Sequence, residues 1–146
     1  MTQVRIVNQS GNPLPQYKTE GSAGMDLMAS LEEPITLLPL ERTLISTGLF
    51  IELPNGYEAQ IRPRSGMAIK HGISLVNAVG TIDSDYRGEI KIATINLSNE
   101  PFTINSGDRI AQMIVAQYEQ VELVQVDDLN ETERGLGGFG STGFSG

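Results

Sequence analysis

The chain has no cysteine and a single histidine, His71, among its 146 residues. The first absence excludes disulfide staples, and the two together exclude a structural zinc site of the usual nitrogen–sulfur kind. A Ser–His hydrolase would have to be built on His71, and no Gly-x-Ser-x-Gly elbow accompanies it. No Gly-Lys-Ser/Thr sequence occurs, so a Walker A phosphate loop is excluded as well. Long apolar runs are also missing. The opening Met1-Thr2-Gln3-Val4-Arg5-Ile6-Val7 has the character of neither a secretory signal nor a membrane span, and a soluble, cytoplasmic protein with no membrane partner is expected. Positive charge is scarce: ten Lys and Arg against 18 Asp and Glu leave a formal charge of −8, which argues against electrostatic binding of nucleic acid.

What is present fits one domain, since domains typically hold roughly 100–200 residues, and a chain of this size can bury a real core without staples. Seven of the ten basic residues are Arg (5, 42, 62, 64, 87, 109 and 134) and three are Lys (18, 70 and 91). A guanidinium grips phosphate or carboxylate at two points, whereas an ammonium is a hydrated point charge. Sparse Arg among Gly, Ser and Asp in an acidic chain therefore hints at local anion sites, although surface Arg also serves solubility.

Sixteen glycines and seven prolines cut the chain into short segments. Such segments suit strands between turns. Val4–Val7, the β-branched run Arg42–Leu53 ending at Pro54-Asn55-Gly56, and Ile90–Leu97 read as strands. In the stretch 57–62, Tyr57, Ala59 and Ile61 alternate with Glu58, Gln60 and Arg62, the period of a half-buried strand. Gly66–His71, bounded by Gly72, allows a helix of one or two turns. Ile110–Val124 has apolar residues at helical spacing but a composition that suits strand equally, and periodicity leaves both open. The composition as a whole favours a mostly β sandwich or barrel.

Four stretches carry chemistry. Arg62-Pro63-Arg64-Ser65-Gly66-Met67-Ala68 sets Arg and Ser where a short helix begins, so N–H groups and a hydroxyl can face phosphate; a plain Ser65 N-cap beside solvated arginines is the other account. Asn77–Gly88 contains Asp83-Ser84-Asp85-Tyr86, open to three accounts: a turn, a calcium loop lacking its closing Glu, or an Asp that activates water beside a Tyr packed on a sugar. From Glu119 to Glu133 there are six acids and no base. Next comes Arg134–Gly143, whose Gly135-x-Gly137-x-x-Gly140 matches the dinucleotide fingerprint without the βαβ unit that gives it meaning. Glycine-rich ends are commonly mobile. This one also holds Arg134, Phe139, Ser141 and Thr142, a set suited to folding over a nucleotide.

Five stretches in order, Ala23–Leu27, Arg64–Gly66, Asn77–Gly88, Gly107–Gln112 and Arg134–Gly143, resemble the motifs of the homotrimeric deoxyuridine triphosphatase (dUTPase) family over essentially the whole chain. The resemblance implies an all-β, jelly-roll-like barrel with at most one short helix, in which Ile110–Val124 is mainly strand. It further implies a hydrolase domain over residues 1–133 and a mobile glycine-rich arm over 134–146 that closes over an active site. The implied reaction is hydrolysis of dUTP to dUMP and pyrophosphate with Mg²⁺, limiting uracil in DNA and supplying dUMP for dTTP synthesis.

In that resemblance Asp83 is the general base for water attacking the α-phosphorus. A model aspartate titrates near about 3.9 and is a weak base, so alignment and charge neutralisation must supply most of the rate. Arg64, Ser65, Gly66 and Gln112 would hold the phosphate chain; Arg134, Ser141 and Thr142 would grip its far end, with Gly140 also among the substrate-binding residues; Asp26 would hold Mg²⁺ through water. Asn77 and the backbone of Gly80, Thr81, Ile82 and Asp83 would read uracil, whose O4 acceptor and N3–H donor are reversed in cytosine. Tyr86 would lie under deoxyribose and leave no room for a 2′-hydroxyl, Lys91 would stand near base or sugar, and Phe139 would cap the base. Three copies of the chain would share each site. The rivals are dCTP deaminase, which needs a Glu-based site where this chain has Asp83-Ser84-Asp85-Tyr86, and a silent nucleotide-gated binding protein.

Overall fold

A computed structural model describes residues 1–145. Its elements in chain order are β1 (Arg5–Asn8), β2 (Met25–Met28), β3 (Ile35–Leu37), β4 (Arg42–Ser46), β5 (Leu49–Glu52), β6 (Tyr57–Arg62), α1 (Ser65–His71), β7 (Ile73–Leu75), β8 (Gly80–Ile82), β9 (Lys91–Asn96), β10 (Phe102–Ile104) and β11 (Arg109–Gln117). The architecture is nearly all β and jelly-roll-like. A four-stranded sheet runs β2-β11-β6-β8, a three-stranded one β4-β9-β7, and β1-β5 and β10-β3 form two pairs. Every pairing is antiparallel. Among the described residues no helix is long and apolar enough to cross a membrane.

Register in the four-stranded sheet explains how one face makes core and the other makes a site. Met113 of β11 stands opposite Met25 and Ile61, and Ile61 opposite Gly80; Met113 and Ile61 are buried. One residue earlier, Gln112 stands opposite Asp26 and Arg62. Because successive side chains alternate between faces, this polar row lies on the side away from the core. The core itself is aliphatic, with Leu27, Ile45, Ile92 and Ile104 fully enclosed. Burial of each such side chain contributes about 1.5–3 kcal/mol.

Three expected elements change. Arg42–Leu53 is two strands, not one, because Gly48 takes φ 68° between them. A Cβ there would lie 2.8 Å from the Ser10 nitrogen, so only glycine lets the chain turn against that loop. The strand expected to run to Val124 stops at Gln117, and a bulge between Arg109 and Ala111 explains its ambiguous spacing. The bulge turns Ile110 and Ala111 both inward, breaking the alternation that marks a strand. At α1 the cap is Arg64, extended at φ −92° and ψ 131°, with no side-chain cap; Ser65 is instead the first helical residue. Gly72 ends the helix in the left-handed region, as its position after His71 suggests.

Beyond Tyr118 the described chain has no regular element, and residues 119–145 are exposed except for half-buried Gly137 and Gly138. Gly146, the last residue of the expected arm, lies outside the described residues.

Candidate active site

Seven of the residues singled out in the sequence meet in one cleft of about 300 Å³: Asn77, Gly80, Thr81, Ile82, Asp83, Tyr86 and Lys91. The turn after β7 supplies Asn77, β8 supplies Gly80–Ile82, and the outward positions of β9 supply Lys91 and Ala93. Gly80 is small for a reason: a Cβ on it would stand 3.2 Å from the Asn77 side-chain nitrogen and 3.4 Å from the Ile61 Cβ. Its absence lets the amide approach the sheet. Asn77 is exposed, and among the described residues no hydrogen bond engages its side chain, which leaves its donor and acceptor open to a ligand.

Asp83 is exposed at the rim of this cleft and also borders a second cavity with Asn55, Glu58 and Tyr118. Its backbone oxygen accepts from the Tyr86 N–H at 3.1 Å, closing the turn, while its carboxylate is in no salt bridge among the described residues. Tyr86 donates its hydroxyl to the Glu89 carbonyl at 3.0 Å. Glu89 in turn accepts from the Gly48 N–H at 3.0 Å and lies 3.7 Å from the Lys91 ammonium. The loop is a turn closed by backbone bonds, with the Asp83 carboxylate in no salt bridge among the described residues and Tyr86 bordering the cleft.

A second group forms on the polar row of the four-stranded sheet. Arg64 donates its Nε–H to Asp26 at 2.9 Å and an Nη1–H to the Arg109 carbonyl at 3.0 Å. Arg109 adds its own guanidinium 3.9 Å from the other Asp26 oxygen. Gln112 donates to the Pro63 carbonyl at 3.0 Å, fixing the approach to α1. A Cβ at Gly24 would be 2.7 Å from the Gln112 Oε1, which explains the glycine two residues before Asp26. Ser65 and Gly66 occupy the first turn of α1, where a helix leaves N–H groups without internal partners. The group is a cationic hand steadied by one carboxylate.

Among the described residues no three His, Cys, Asp or Glu side chains converge as a metal cage. Asp26 alone, already bonded to Arg64, suits an outer contact through water with a Mg²⁺ carried on a ligand's phosphates, a cation that keeps its waters.

The third set stays apart. Among the described residues, Arg134 bonds only within the terminal segment, to the Gly137 carbonyl at 2.8 Å, and Phe139, Ser141 and Thr142 are exposed. Phe139 has φ 48°, a strained conformation for a residue with a side chain, and its ring is fully exposed. One chain therefore assembles the cleft and the cationic hand but leaves Arg134–Thr142 touching neither. Sequence reasoning did not pick out Glu89, Ala93 or the Arg109 carbonyl. They enter through cross-strand register and backbone geometry, for which no local motif exists.

A family model described as dUTPase matches residues 11–143. The chain is 64% identical over 141 residues to the deoxyuridine 5′-triphosphate nucleotidohydrolase of Finegoldia magna, covering 97% of this chain and 99% of that protein. It is 55% identical over 141 residues to the protein of the same name from Fusobacterium nucleatum, covering 97% of each. In three dimensions it is similar to the Staphylococcus bacteriophage 80alpha dUTPase with dUPNHPP, at 25% identity and a TM-score of 0.88 over 99% of this chain and 100% of that one. With agreement of that extent over nearly the full length of both partners, the chain belongs to the dUTPase family.

Proposed function

We propose that the chain hydrolyses dUTP to dUMP and pyrophosphate. In this reading Asn77 and the backbone of Gly80–Ile82 bind uracil, Tyr86 packs on deoxyribose, and Lys91 stands beside base or sugar. The carboxylate of Asp83 takes a proton from a water whose oxygen bonds to the α-phosphorus, while the bond from that phosphorus to the bridging oxygen breaks and pyrophosphate leaves. Positioning and electrostatics carry most of such a reaction. Arg64, the N–H groups of Ser65 and Gly66, and Gln112 meet the phosphate chain. Mg²⁺, when bound with the triphosphate, would neutralise phosphate charge, and Asp26 would be the residue that holds it, through water. A triphosphate brings about four negative charges to a chain of formal charge −8, so a local cationic hand is a requirement rather than an accessory.

The observation that carries this reading is the free Asp83 carboxylate at the rim of a cleft that also holds the unpaired Asn77 amide and the Tyr86 ring. The assignment to a nucleotide-hydrolysing family supports it. Residues 134–145 act here as a mobile arm on a domain of residues 1–133, bringing Arg134, Ser141 and Thr142 to the far phosphates and Phe139 over the base, with Gly140 among the substrate-binding residues. The same proposal, on the family resemblance, makes the working molecule a homotrimer in which the arm of one copy closes on a site of another; an arm that bonds only to itself among the described residues is compatible with this. Removal of uracil nucleotides from the DNA precursor pool, supply of dUMP for dTTP, and a cytoplasmic location belong to the same proposal.

The test is incubation with dUTP, dCTP, dTTP and UTP in the presence of Mg²⁺, following pyrophosphate and base identity. Pyrophosphate from dUTP with little from the others is the expected result. Ammonia from dCTP would replace the reading with a deaminase, and tight nucleotide binding without turnover would replace it with a silent binder.

A further inference from the structure

We infer that Gly88 is a specificity-determining residue that sets how closely the cleft fits a 2′-deoxy sugar, acting through the Tyr86 ring. The inference rests on the cleft being the nucleoside site. The geometry behind it is independent of that reading. A Cβ on Gly88 would stand 2.5 Å from the Tyr86 Cζ and 2.9 Å from its Cε2, and nearer still to its hydroxyl oxygen. The hydroxyl-bearing end of the ring therefore packs against the side of Gly88 where a Cβ would stand. Its hydroxyl is tied beyond that point, to the Glu89 carbonyl at 3.0 Å. Glu89 is itself held by the Gly48 N–H at 3.0 Å, so the ring has a floor and an anchor, both supplied by the backbone.

The identity of the clashing atoms decides what a side chain at 88 would do. They belong to the far end of one side chain, and Gly88 does not lie in the left-handed region. A methyl group there is compatible with the backbone, and the least costly response is for the ring to swing away while the loop stays. Tyr86 is 46% exposed, so the ring has solvent to move into. Moving it enlarges the space under the sugar, where exclusion of a 2′-hydroxyl depends on lack of room. Displacements of about 1 Å in a substrate-positioning group change rates by up to about a hundredfold.

The experiment is a cycle of Gly88→Ala, Tyr86→Ala and the double variant, each assayed for kcat/KM on dUTP and on UTP. Turnover of dUTP by the unaltered protein tests the underlying reading; the ratio between the two nucleotides tests the inference alone. Gly88→Ala is expected to raise the UTP-to-dUTP ratio roughly tenfold or more, and to add almost nothing once Tyr86→Ala has removed the ring. An unchanged ratio, or an equal effect of Gly88→Ala in the Tyr86→Ala background, would overturn it. If Gly88→Ala alone fails to fold, recovery of folding in the double variant upholds the ring as the clashing group, and failure of the double variant to fold refutes it.

Discussion

At the scale of single residues, two carboxylates of the same chemical type have opposite surroundings. Asp26 is half-buried and bonded to Arg64 at 2.9 Å. Asp83 is exposed and in no salt bridge among the described residues, and the proposed reaction makes it the general base. Asp83→Asn is expected to lower kcat by roughly 10²–10⁴-fold, the usual range for a general base. Affinity for a non-hydrolysable dUTP analogue should stay within a few fold, measured by calorimetry; a large loss of binding would assign Asp83 to substrate grip instead. Asp26→Asn should act differently. It removes the charged partner of the Arg64 Nε–H, and the expected outcome is a higher KM for dUTP with the fold retained, read by steady-state kinetics beside circular dichroism.

At the scale of elements, glycines set the joints. Gly48 separates β4 from β5 in the left-handed region, with Ser10 pressed against it. Gly48→Ala is expected to cost about 1–3 kcal/mol from backbone strain, with the Ser10 contact adding to it, and to lower Tm by several degrees in a thermal scan. The terminal segment is an element of another kind, held by turns of its own and exposed along most of its length. Truncation before Arg134 should abolish most turnover of dUTP while leaving the number of subunits and Tm nearly unchanged, measured by sedimentation and a thermal scan. Full activity in the truncated protein would remove the arm from the reaction.

At the scale of the whole molecule, the arm of a single chain reaches neither the cleft nor the cationic hand, and large apolar side chains such as Leu38 and Leu97 stand exposed. The proposed homotrimer would supply each site with the arm of another copy. A mixed refolding of Asp83→Asn chains with chains truncated before Arg134 tests this directly. If Asp83 and the arm of one site come from different subunits, an equal mixture regains about a quarter of the wild-type sites, although neither parent is active. No recovery would mean that each arm closes on its own chain.

Residue type and order were enough to propose a site: Asp83, the Arg–Ser–Gly run at 64–66 and the glycine-rich end with its Arg and Phe are covalent facts of the chain. The strands at 57–62 and 91–96 and the helix bounded by Gly72 were legible for the same reason, since alternation and caps are local properties. Other features depend on partners far away in sequence. The Gly48 joint, the bulge that mixes the spacing at Ile110 and Ala111, and the row that brings Asp26 beside Gln112 arise only when strands from opposite ends of the chain pair. Pairing register selects which side chains share a face, and no stretch of chain contains its own partner. Tertiary structure alone therefore decided where the cleft opens and which groups stand together within it.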